Sequence, residues 1–164
     1  MGHSELQSRT WRKKSEAKHY DQTLRLNPLR VSWANGKPPG SHPYLPGITL
    51  HGRTTCEWLE GGAFLIMHSE IDHPNFPSGI GIFGSDDAAK TYFLLTFDSR
   101  GVSRKYDVTM TGNQLKWWRA EPSFSQRVTM TIEDNGNKVE TQGEMSREGA
   151  AWEEDLAQTY VRVR

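Results

Sequence analysis

From Ile48 onward, apolar and β-branched runs alternate with short clusters of turn residues. The runs fall at 48–59, 63–71, 79–85, 91–97, 102–110, 114–118, 125–133, 138–145 and 152–163, with one more at 29–34. Between them stand Gly61-Gly62, Asp98-Ser99-Arg100-Gly101, Thr111-Gly112-Asn113 and Asp134-Asn135-Gly136-Asn137, residues that reach the positive φ of a hairpin. Short strands at this spacing, with no helical pattern between them, predict an antiparallel meander of about ten strands. So many strands must hide their edges. Closure into an up-and-down barrel does this directly, and a two-sheet sandwich is the alternative. Alternation assigns faces in places: Val102, Arg104, Tyr106, Val108 and Met110 share the mostly apolar side of one strand and are expected inside.

Two segments break the pattern. Residues 35–47, NGKPPGSHPYLPG, hold four prolines and three glycines and are expected to form a loop, inert or a lid over a cavity. Residues 1–30 carry seven Lys/Arg against Glu5, Glu16 and Asp21, so the rest of this electrically neutral chain is net acidic. Their apolar residues give only a weak helical period. The expected organisation is a basic, poorly structured or helical arm over 1–28 and a barrel domain over 29–164.

Composition narrows the function classes. Twenty basic and twenty acidic residues lack the basic excess of a general nucleic-acid binder. No apolar run approaches the roughly 18 residues of a membrane span, and no secretory h-region follows the N-terminal charges. A single cysteine, Cys56, excludes an internal disulfide and a cysteine-based zinc cluster. The expectation is a cytoplasmic protein, monomer or homodimer, with no nucleic acid and no membrane span.

The stretches CEWLEGGAFL (56–65), SEIDHPNFPSG (69–79), YFLLTFDSRGVSRKY (92–106), WWRAEPSFSQR (117–127) and WEEDLAQTYVR (152–162) carry a resemblance. In order and spacing they are similar to the lipocalin-like, calycin-type bacterial proteins grouped as a domain of unknown function. The resemblance covers residues 45–164 and implies a β-barrel with a cavity, without implying a common chemistry. Two features depart from it. The first strand has Ser32-Trp33 where members carry Gly-x-Trp, and the penultimate strand has Gly143-Glu144-Met145 where they often end Gly-x-Trp.

Candidate chemistry gathers in four places. Gly79-Ile80-Gly81-Ile82-Phe83-Gly84 spells G-x-G-x-x-G, but a Pro-rich loop precedes it and no helix follows, so it reads as a glycine-relieved strand without a dinucleotide. His68 and Glu70, two apart on one strand, share a face and form a potential general acid–base pair. Arg104 and Tyr106 form a second constellation, with Glu70 the expected counter-ion of Arg104 and Arg119 a second cation. Together they would make a polar floor for a carboxylate, enolate or carbonyl oxygen. Trp58, Tyr92, Trp117, Trp152 and Tyr160 are candidates for an aromatic cavity wall. The six histidines lie in the first half of the chain, so the last strands offer no haem ligand; no metal and no cofactor is expected.

The expected function is binding of a small apolar or amphipathic molecule, with Trp58, His68, Glu70, Tyr92, Arg104, Tyr106, Trp117, Arg119 and Tyr160 as candidate ligand contacts. The alternative is a cofactor-independent cyclase, isomerase or hydratase in the same cavity. Its catalytic candidates are His68, Glu70, Arg104 and Tyr106. A structural barrel with a filled interior is a third possibility.

Overall fold

A computed structural model describes residues 31–35, 40–59 and 62–163, the first five as backbone only. The basic arm assigned to 1–28 lies outside the described residues. Ten strands follow in chain order: β1 Val31–Asn35, β2 Gly52–Trp58, β3 Leu65–Ile71, β4 Gly79–Asp86, β5 Thr91–Asp98, β6 Ser103–Thr111, β7 Gln114–Arg119, β8 Phe124–Glu133, β9 Lys138–Arg147 and β10 Glu153–Val163. Strands β2 to β10 run up and down as one curled antiparallel sheet. Strand β1 pairs with β10 on one side and β2 on the other, which closes the barrel. The strands coincide with the predicted runs to within a few residues at each end.

Turn chemistry fits the topology. At the β8–β9 connection Asp134, Asn135 and Gly136 all take positive φ, in a short left-handed turn. Asx residues and glycine tolerate this region better than other types. Alternation fits as well. On β6 Tyr106 and Val108 are buried while Lys105, Asp107 and Thr109 are exposed, as the sequence pattern predicts. Leu65, Phe83, Leu94, Val108, Leu115, Trp117 and Val139 belong to one hydrophobic core, with Leu94 fully buried.

The G-x-G-x-x-G stretch lies on β4, as a glycine-relieved strand. A Cβ at Gly81 would stand 3.0 Å from Leu94 Cδ1 and 3.2 Å from Met67 Cε, so the glycine admits two core side chains. A Cβ at Gly84 would meet Phe93 Cζ at 2.5 Å on the outer face.

The Pro-rich loop is tied across the end of the barrel where β2 begins. Gly40 bridges Leu50, which is fully buried, and Ser41 exchanges two backbone hydrogen bonds with Ala157 on β10. It thereby covers the part of β10 that β1 does not reach.

Candidate functional site

The site begins with a bulge in β10. Glu153 and Glu154 pair with Met145 and Glu144, but Ala157 pairs with Gln142, so Asp155 and Leu156 together face Gly143. An extra residue re-aims the side chains around it. Here it turns both Asp155 and Leu156 to the interior, a step that strict alternation forbids. Gly143 makes room: a Cβ there would stand 3.0 Å from the Leu156 carbonyl oxygen and 3.3 Å from Asp155 Cβ.

Inside the barrel is a cavity of about 200 Å³. For scale, an apolar cavity of ~150 Å³ takes a benzene ring. Its wall is mostly apolar, with Cys56, Leu65, Met67, Phe83, Leu115, Trp117, Val128, Met130, Ile132, Val139 and Leu156. Polar groups interrupt it in two places. Gln126 and Asp155 stand toward the loop-covered end, while Ser69, Thr54, Thr141, Gln158 and Tyr160 lie along one side. Burial pushes the Tyr160 phenol above its ordinary range and the Cys56 thiol up to about 12. Cys56 is therefore a protonated core residue.

A directed chain of hydrogen bonds ends on Asp155. Tyr106 Oη donates to Gln126 Oε1 at 2.7 Å, and Gln126 Nε2 donates to Asp155 Oδ2 at 2.7 Å. On the other oxygen, His42 Nε2 lies 3.1 Å from Asp155 Oδ1. The Tyr44 backbone N–H donates to His42 Nδ1, so the ring proton sits on Nε2 and points at the carboxylate. Phe76 packs edge-on against the imidazole, with ring centroids 5.5 Å apart. Burial raises the Tyr106 phenol, and the Arg104 and Arg119 guanidiniums beside it oppose that shift. Arg119 Nε is buried without a hydrogen-bond partner among the described residues.

No protein-family model matches the chain, and no curated protein matches its sequence. The site therefore rests on its own geometry. Among the described residues no group of three or more His, Cys, Asp or Glu is placed to hold a metal ion.

Of the residues expected from sequence, Trp117 and Tyr160 line the cavity. Trp58 and Tyr92 pack against the core without lining the cavity. Tyr106 meets the lining residue Gln126, Arg104 and Arg119 lie beside Tyr106, and none of the three is on the cavity wall.

Three expectations are corrected. His68 and Glu70 face outward, because Leu65 and Met67 claim the inward positions of β3 and a strand alternates. His68 is half exposed, with Nε2 3.9 Å from Glu57 Oε1. Glu70 consequently cannot be the counter-ion of Arg104, whose guanidinium lies over the Phe124 ring, 4.8 Å from its centroid. Trp152 also lies outside, beneath Arg127, which is clamped by Glu144 through two hydrogen bonds of 2.6 and 2.8 Å.

The residues missed are His42, Thr54, Gln126, Asp155 and Gln158. Gln158 was within reach, since it shares parity with Tyr160. Asp155 was not, because the bulge breaks the parity that would have assigned it.

Proposed function

We propose that this barrel binds a small, mainly apolar molecule in its interior, in the manner of a lipocalin-like protein. The observation that carries the proposal is the cavity of about 200 Å³ inside the ten-stranded barrel, apolar on most of its wall and polar in two places. Binding pockets for small molecules are mostly apolar concavities with a few convergent polar groups that fix orientation. A structural barrel would fill this space with side chains, as protein interiors generally do.

Native mass spectrometry of the protein purified gently from its own host tests the proposal. A retained organic mass, released when the barrel unfolds, is the expected result. A chain carrying no such mass at saturating metabolite concentrations counts against it.

One observation favours a second reading, a cofactor-independent cyclase, isomerase or hydratase. Asp155 faces the cavity with His42 behind it and is the base such chemistry requires, in place of Glu70 or His68. Asp155→Asn would then remove turnover of the retained molecule while leaving its binding intact. Equal turnover in both proteins excludes this role.

A further inference from the structure

Gln158 on β10 is 7% exposed, and its side chain lines the cavity. Its oxygen is engaged: Tyr160 Oη donates to Gln158 Oε1. That direction leaves Gln158 Nε2, with its two hydrogens, without a partner among the described residues. A buried amide donor left without an acceptor loses its water and gains nothing in return. A ligand oxygen restores the balance.

The second polar place sets the charge. The wall holds the Asp155 carboxyl group, whereas Arg104 and Arg119 stand off the wall beside Tyr106. An anionic head entering the cavity would meet the Asp155 carboxyl group and, among the described residues, find no guanidinium on the wall. Burying a charge without a partner is strongly unfavourable.

We propose that the cavity selects an uncharged ligand whose carbonyl-type oxygen accepts from the Gln158 amide, and that Asp155 turns carboxylates away. This rests on the binding function proposed above and gives its ligand a chemical class. The carboxylate-binding floor expected from Arg104 gives way to a neutral, acceptor-bearing molecule about the size of a substituted ring.

Three monosubstituted benzenes of similar size separate the possibilities: acetophenone, ethylbenzene and benzoate. Affinities are read from saturable methyl shifts of Met67 and Met130 in the full chain. Because water holds the ketone better than the hydrocarbon, the informative quantity is the ratio of the two affinities in wild type and in Gln158→Leu. The substitution is expected to move that ratio by roughly tenfold toward ethylbenzene. An unchanged ratio overturns the role of Gln158. Should the variant fail to fold, the wild-type Gln158 side-chain amide resonances decide: acetophenone moves them and ethylbenzene does not, whereas equal movement overturns the proposal. Benzoate is expected to bind weakest, and Asp155→Asn to narrow its deficit; a deficit unaffected by that substitution overturns the exclusion. Absence of saturable shifts with all three probes contradicts the binding function itself.

Discussion

His42 and Asp155, 113 residues apart in sequence, meet across the end of the barrel with His42 Nε2 3.1 Å from Asp155 Oδ1. One belongs to the loop before β2 and the other to the β10 bulge. Their contact, the backbone pair Ser41–Ala157 and the hydrogen bond from Tyr44 Oη to Glu153 Oε1 fasten the loop along alternate residues of one strand. The same contact holds the only carboxyl group that the described residues place on the cavity wall.

Removing the imidazole should therefore loosen the loop and the carboxylate together. His42→Phe keeps an aromatic ring against Phe76 but deletes the donor to Asp155. A hydrogen bond to a charged, largely buried group contributes about 1.5–3 kcal/mol. Denaturant melts should show a loss in that range, and amide exchange should accelerate at residues 40–50. Unaltered exchange there would mean that the backbone bridges alone secure the loop.

Gly143→Ala places a methyl group 3.0 Å from the Leu156 carbonyl oxygen. The obstacle is backbone, which cannot swing aside as a side chain does. A loss of about 1–3 kcal/mol is expected, the usual cost of overpacking. Resonances of Asp155 and Gln126 should shift with it. The bulge opposite gives the physical reason for a glycine here.

Outward placement of Glu70 makes a distinct prediction for Arg104. Glu70→Gln should change stability by no more than about 0.5 kcal/mol, as for most surface substitutions. Combined with Arg104→Met, the two effects should add to within about 0.5 kcal/mol. A coupling of several kcal/mol would require the two side chains to touch. Arg104→Met should by itself be costly through loss of packing over Phe124.

Acid should act on the β5–β6 turn. Asp98 Oδ1 accepts from the backbone N–H groups of Arg100 and Val102, and Oδ2 accepts from Arg100 Nη2 at 2.6 Å. The Arg100 side chain is the main cause holding this carboxyl group down at about 2, below its ordinary 3.8. A folded-state value below the unfolded one means that the stabilisation is complete above the ordinary value. It is lost as pH falls through about 2. Carboxyl-carbon NMR of Asp98 should titrate near that lower value. A midpoint at the ordinary value would remove the turn's contribution to acid stability.

The fold was largely legible because barrel strands announce themselves by turns and by period two. Asn135-Gly136 and Gly112-Asn113 mark hairpins whatever the interior contains. The alternation of Tyr106 and Val108 with Lys105 and Asp107 sets one strand's faces outright. Parity failed on β3, where Phe64, Ile66, Leu65 and Met67 make both faces apolar, so that His68 and Glu70 could be assigned to either. Gly81 and Leu94 resolve this strand only in three dimensions, by leaving room for Met67 inside. On β10 an extra residue resets the count between Glu154 and Ala157, and no local signal in EEDLAQTY marks it. The partners of Asp155 come from the loop before β2 and from β8, separations that no sequence period connects.

Methyl NMR of the full chain titrated with toluene tests the central claim, that the interior of the barrel is a ligand site. The claim predicts saturable shifts of Met67 and Met130, which line the cavity, with Ile80 on the outer face unmoved. Shifts that never saturate, or that appear at Ile80 and not at Met67 and Met130, would contradict it.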